Sequence, residues 1–268
     1  MSFLEDILRI FDTQMTKPTL YGWFHILSLV LTVAATVLLC RFGKNWDKRK
    51  VVLTTAVLVT VLEVYKQINY SFSYGNGITF DYQWYAFPFQ FCSTPMYIGL
   101  LAGFWKKGRV HHAACAYLAT YAVFAGTCVM LYPSTVFIGT VGINIQTMVC
   151  HGSMIVIGVY LLYTGYVKAE HKTVLKALPV FAICVALAVI MNELAHRTGL
   201  LERETFDMFF ISPYGTPSLP VYSLVQNVVP FPWCLMIYIV AFSLAAYIML
   251  LIAMAVKQLE KKKTVLEA

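Results

Sequence analysis

Again and again this chain runs for about twenty residues on almost nothing but apolar side chains, and that repetition limits its fold more than any other feature. A bilayer core of about 30 Å takes roughly 20 such residues per helix. The runs are Tyr21–Cys40, Val51–Phe72, Phe87–Phe104, Ala113–Tyr132, Ile143–Tyr166, Val174–Leu194 and Phe231–Val256. Lipid offers a backbone no hydrogen-bonding partners, so only helices and closed barrels cross it, and runs this long select helices. The expected fold is all-α: one polytopic domain over 1–268, a seven-transmembrane-helix bundle. Pro88 and Pro95 interrupt the third run.

Composition agrees. Only 12% of residues are charged and 59% are hydrophobic, where a soluble domain carries about 25% charged residues. A water-soluble globule, a disordered chain and a disulfide-rich secreted scaffold are all excluded. The net charge of +7 suggests nucleic acid only until the basic residues are located. They punctuate the apolar runs rather than forming one patch, so no nucleic-acid partner is expected. The cysteines at 40, 92, 115, 128, 150, 184 and 234 form no CxxC pair; neither a structural metal nor a cofactor is expected.

Lysine and arginine set the orientation. Arg41, Lys44, Lys48, Arg49 and Lys50 follow the first run, Lys106, Lys107 and Arg109 the third, and Lys168, Lys172 and Lys176 the fifth. The tail, 257–268, adds Lys257, Lys261, Lys262 and Lys263. Opposite them stand only Arg9, Lys17, Arg197 and Arg203, with Lys66 inside a run. The N-terminus is therefore expected outside and the C-terminus in the cytoplasm of a plasma membrane. Residues 1–20 alternate apolar and charged side chains as a surface-lying amphipathic helix does, and no cleavable signal peptide is expected. Ser73–Ala86, Pro133–Gly142 and the proline-rich Ala195–Pro230 are the expected external loops.

Polar residues inside the runs gather in the outer half. Tyr21, His25, Ser28, Thr32 and Thr36 share one helical stripe, as do Glu63, Lys66, Gln67 and Tyr70. Gln90 and Cys92 open the third run, Asn144, Thr147 and His151 step along the fifth, Asn192 ends the sixth, and Asn227 precedes the seventh. Intramembrane polar groups face a bundle interior or a wet cavity and are functional candidates by default. Bland readings stand beside this one. Glu63 and Lys66 neutralise each other at a spacing of three, His25 is a hydrogen-bonded bundle residue, and the Ser/Thr stripe is packing glue. Gly99, Gly103 and Gly158 either let the third and fifth helices approach or reflect generic packing.

Cys92 and His151 lie at similar depth from the same surface. A thiol needs a base or a cation to become a thiolate, and imidazole is the usual one. The prolines around Cys92 free backbone N–H groups for an oxyanion. Acyl transfer through a thioester needs that pair with an orienting group and a donor, and Asn144, Thr147, Gln90 and Asn227 are placed for those tasks. Cys150 is a rival thiol expected to face elsewhere on its helix.

These same residues carry a family resemblance. A histidine near the outer end of the first run, an acidic residue in the second, the P-x-x-x-C entry at Pro88–Cys92, the HG of His151–Gly152 and the PFPW of Pro230–Trp233 resemble the YwaF-type bacterial membrane proteins. Those are grouped with the eukaryotic transmembrane protein 164 family. The resemblance implies a phospholipid or lysophospholipid acyltransferase, with Cys92 and His151 in the catalytic roles. Where the family commonly reads LPLHLC this chain reads FPFQFC, so Gln90 stands for a second histidine. The competing class is a seven-helix carrier, receptor or lipid-binding protein with an outward polar cavity. A retinal protein is disfavoured because no lysine precedes Lys257 in the last run.

Overall fold

The computed structural model describes residues 3–74, 77–199, 205–215 and 219–267. The described chain is mostly helical: α1 (Phe3–Phe11), α2 (Trp23–Phe42), α3 (Lys48–Asn69), α4 (Thr94–Phe104), α5 (Arg109–Ala119), α6 (Tyr121–Leu131), α7 (Val141–Tyr163), α8 (Lys172–Thr198), α9 (Pro220–Gln226) and α10 (Phe231–Glu267). One short hairpin, β1 (Phe72–Tyr74) with β2 (Ile78–Phe80), follows α3 and pairs antiparallel with Ser73 opposite Thr79. Among the described residues six helices, counting α5 and α6 as one, are long and apolar enough to cross a membrane, one fewer than the seven expected, because the helix of the third run is too short. Arg203 and Pro217 of the long loop lie outside the described residues.

The third run departs from expectation. A helix from Phe87 was expected, but Phe87 and Gln90 are extended, a 3-10 turn occupies Phe91–Ser93, and α4 begins only at Thr94. The cause is Pro88, which has no N–H to donate and holds the preceding residue out of the helical region, with Pro95 free to stand in the first turn of α4. The segment from Ala86 to Gly103 still accompanies α3 along its length. Gln67 Nε2 donates to Ala86 O (2.9 Å) near one end and Arg49 Nη1 to Gly103 O (2.8 Å) near the other, a run of about 27 Å along the helix.

Other boundaries also shift. The fourth crossing breaks at Thr120, whose φ of −130° and ψ of −77° separate α5 from α6, and its hydroxyl turns back to Ala116 O. The last helix runs on to Glu267, well past Val256. Asp47 caps α3 by accepting from the Arg49 and Lys50 amides, which hold its carboxyl below the usual carboxylate range.

Helices α5, α6 and α7 are mostly buried, whereas α2 and α10 turn most of their length outward. Val30, Leu31 and Val37 of α2 and Val240, Leu244 and Ile248 of α10 are exposed, a surface that suits lipid. Exposed Trp23, Tyr132 and Trp233 ring one end, and Trp46, Trp105 and Tyr163 the other, as aromatic belts do. The core is built on stacked rings: Phe181 lies 4.6 Å from Tyr121 and 6.0 Å from Phe242, and Tyr238 4.2 Å from Phe242.

The N-terminal segment is tied to the bundle. Met15 N–H donates to Gly139 O and Val141 N–H to Thr13 O, Tyr65 and Asn69 of α3 both donate to Phe11 O, and Leu8 is buried. This places the chain start, the loop before α7 and the far end of α3 on one side of the bundle. The glycines do allow close approach, but with other partners than expected. A Cβ on Gly99 would meet Ala56 of α3, one on Gly103 would meet Leu53, and one on Gly158 would meet Leu118 O and Val123.

The largest surprise is the loop after α8. Phe206, Met208, Phe209 and Ile211 are buried among the helices, with Phe209 and Phe210 in left-handed backbone at φ 62° and 55°. Two amide side chains hold this insertion. Asn192 donates to Met208 O (3.0 Å) and accepts from Met208 N–H (2.7 Å), while Gln90 donates to Asp207 O (2.8 Å) and accepts from Phe209 N–H (2.9 Å).

Candidate functional site

The FPFQFCSTP sequence makes the Phe91–Ser93 turn, and its first bonds run from the Ser93 and Thr94 amides to Gln90 O. The Phe91 and Cys92 amides lead that turn, in the position where N–H groups have no preceding carbonyl of their own turn to use. Cys92 is half-buried, whereas Cys40, Cys115, Cys150, Cys184 and Cys234 are buried and Cys128 is exposed. Its sulfur has the Ser93 hydroxyl and its own amide beside it, and it lies within the field of Lys66 and Glu63. Thr94 anchors the turn from below, accepting or donating at 2.6 Å with Tyr117 Oη.

Glu63 is buried and fully engaged. Lys66 Nζ reaches its carboxylate at 2.7 Å, Gln67 Nε2 donates at 2.8 Å and Gln146 Nε2 from α7 at 3.3 Å. The mutual neutralisation of Glu63 and Lys66 is therefore present, inside a larger network. Tyr82 Oη donates to Gln67 Oε1 at 2.6 Å, which fixes the Gln67 amide with its nitrogen toward Glu63 and Ala86 O. Burial pushes the Tyr82 phenol up to about 12, so it stays a donor. A cavity of about 480 Å³ opens against this network, lined by Glu63, Gln67 and Ser71 among Val64, Pro88 and Tyr97.

His151 is buried on α7, and Nδ1 sits 2.7 Å from Thr147 O. A carbonyl accepts only, so Nδ1 carries the proton and Nε2 keeps its lone pair. That Nε2 is buried and has no partner among the described residues. The Lys66 charge reaches the His151 ring as it reaches Cys92, and the Cys92 turn and α7 both pack on α6. The approach of α6 to His151 depends on Gly126, where a Cβ would lie 2.6 Å from His151 O.

Cys150 does not face elsewhere. Its sulfur accepts from Gln146 Nε2 at 3.3 Å and lines a small void with Pro95 and Met96. Successive residues on a helix are 100° apart, and Gln146, four before Cys150, sets a second polar stripe beside the Asn144–Thr147–His151 one. Reading only the latter stripe missed Gln146, which links Glu63 to Cys150 and accepts from the Thr147 hydroxyl at 3.4 Å.

The remaining candidates serve elsewhere. His25 spends Nδ1 on the Tyr21 amide and Nε2 on Met130 O. Ser28, Thr32 and Thr36 each donate to the carbonyl four residues back in α2. Asn144 holds the loop before α7, donating to Ile138 O and accepting from Ile138 N–H. Asn192 and Gln90 clamp the inserted loop, and Asn227 is exposed at the end of α9. The sequence reading also missed a second Cys–His pair. His111 Nδ1 donates to Ala102 O (3.0 Å), and its Nε2 faces Tyr166 Oη (2.7 Å) and Cys115 Sγ (3.6 Å). Cys115 is almost wholly buried, so this pair ties helices together and presents no thiol to a substrate. No group of three or more His, Cys, Asp or Glu gathers to hold a metal among the described residues.

Residues 20–252 match the TMEM164 family, and the chain belongs to that family. Comparison with curated proteins and with solved structures returns no match.

Proposed function

We propose that this TMEM164-family chain is a membrane-embedded lipid acyltransferase that works through a thioester on Cys92, with His151 as its general base. One observation carries the reading: a buried imidazole keeps an unpartnered Nε2 lone pair, its Nδ1 proton fixed on Thr147 O, and the turn bearing the half-buried thiol packs on α6, as α7 does. A buried polar atom without a partner is costly, and an approaching proton donor repairs it.

His151 Nε2 takes the Cys92 proton, leaving the thiolate beside the Ser93 hydroxyl and its own amide. The thiolate attacks an acyl ester carbonyl, and the amides leading the Phe91–Ser93 turn receive the oxyanion. Collapse breaks the ester C–O bond, and the leaving lysolipid alkoxide takes the proton back from His151. The acceptor hydroxyl of a second lysophospholipid then gives its proton to His151 and attacks the thioester, releasing Cys92. The cavity beside Glu63 and Gln67 supplies the space for an acyl or glycerol portion. The proposed topology is seven crossings of a bacterial plasma membrane, N-terminus outside, with this site in the outer half.

A carrier or lipid-binding protein is the second reading, favoured by the Glu63-lined cavity alone. Acyl exchange decides between them: chain-deuterated phospholipid and lysophospholipid are supplied to the purified protein in nanodiscs and the products weighed. The proposed enzyme transfers label, Cys92→Ala abolishes transfer and Cys150→Ala retains it. Absence of transfer by folded wild type across phospholipid classes favours the binding reading.

A further inference from the structure

A second cavity, of about 960 Å³, lies between α4, α5 and α8 and runs from Phe89 and Thr94 to Arg109 and Lys168. Its walls are apolar, with Ile98 and Leu101 from α4, Ala113 and Ala116 from α5, and Val180 and Leu187 from α8. Pro179 stands within α8 on the same wall. It lacks an N–H for the Leu175 carbonyl and disturbs the helix there. From Lys176 to Leu187 the groove follows α8 for about 16 Å, roughly half of a 30 Å hydrocarbon core and so the depth of one leaflet.

The two ends of the groove differ. At the deep end stand Phe89, Thr94 and Tyr97. At the rim stand Arg109, Lys168, Lys176 and His112, with Glu170 as the acidic residue among them. Glu170 is taken by Lys176 Nζ at 2.8 Å, whereas Arg109 and Lys168 have no ion pair among the described residues. The first turn of α5, which begins at Arg109, carries no acidic residue.

We infer that this groove is a binding site for one anionic phospholipid of the leaflet on the basic side, with its phosphate at Arg109 and Lys168 and one acyl chain along α8. An apolar trough of one leaflet's depth, ending at a rim where Arg109, Lys168 and Lys176 outnumber Glu170, matches an amphiphile with a negative head. A neutral or purely polar ligand would leave one of those halves unmatched. Its deep end reaches Thr94 and Tyr97 beside the Cys92 turn, but its basic rim lies away from that turn, and the inference does not depend on the proposed chemistry.

Native mass spectrometry of the purified full chain, with phosphatidylglycerol and phosphatidylcholine of equal chain length in competition, tests this. One retained phosphatidylglycerol is expected, preferred about thirtyfold, the scale of two basic residues beside an anionic headgroup. Arg109→Gln with Lys168→Gln removes the preference, and Ala113→Trp, which fills the trough, prevents retention. Lys44→Gln with Lys48→Gln removes as much charge from another loop and leaves the preference unchanged. A phosphatidylglycerol carrying a diazirine in its acyl chain, applied to the unaltered protein, labels peptides of α4, α5 and α8. Equal retention of both lipids, equal loss in the Lys44/Lys48 variant, or label concentrated on other helices overturns the inference.

Discussion

The inserted loop gives the sharpest stability prediction. Asn192→Leu keeps the size of the side chain and removes both of its hydrogen bonds to Met208. Met208 is fully buried, so its N–H and C=O are left without partners, at about 1–3 kcal/mol each. The left-handed backbone of Phe209 and Phe210 holds about 1–3 kcal/mol of strain per residue that withdrawal releases. The loop escapes the full cost by opening, so we expect its opening free energy to fall by about 3 kcal/mol, roughly a hundredfold in population. Hydrogen exchange on a peptide covering 205–215 should speed up by about that factor, with α7 unchanged as the internal reference. Protection at 207–211 within a few-fold of wild type, in a variant that still folds, would refute the assignment of Asn192 as the clamp.

Three further predictions follow the same physics. Lys66→Met strands the buried Glu63 carboxylate and should cost about 3–5 kcal/mol, whereas adding Glu63→Gln should return most of it; chemical unfolding in detergent reads both. Gly126→Ala puts a Cβ against His151 O and should destabilise by about 1–3 kcal/mol, seen as a lower melting temperature. Burial raises the Asp207 carboxyl to about 6, so the folded loop binds a proton more tightly than the open one. Its contribution is complete below about pH 4 and is lost as pH rises through 6, a loss of about 1–2 kcal/mol after solvent screening. Exchange at 207–211, corrected for its intrinsic pH dependence, should accelerate over that window, and Asp207→Asn should remove the effect.

Six of the seven expected runs were legible as helices long enough to cross a membrane, because an apolar run of twenty residues admits few structures. The polar stripes were legible because helical spacing places residues three and four apart on one face. Pro88 announced a disturbed third run, but sequence alone did not show that Phe87–Gln90 would be extended beside α3. The inserted loop was hidden because its anchors, Gln90 and Asn192, lie far from 207–209 in sequence. Its proline content also suggested an external course. Depth of a polar residue along a helix was readable, but its partner was not. Asn144, Asn192 and Gln90 read equally as site residues and as clamps, and their side chains are spent on loop backbone. Gln146 and Tyr82 gave no signal beyond one polar residue each, because their importance lies in reaching Glu63 and Gln67 from other segments.

The central claim is that Cys92 carries an acyl group with His151 as its base. Intact mass of the purified chain after incubation with a defined phospholipid tests it most directly, comparing wild type, Cys92→Ala and His151→Ala, each then treated with hydroxylamine. The account predicts a gain of one acyl group on wild type that hydroxylamine removes, none on Cys92→Ala, and slowed formation on His151→Ala. A folded wild type that gains no acyl mass, or an adduct that persists in Cys92→Ala, contradicts it.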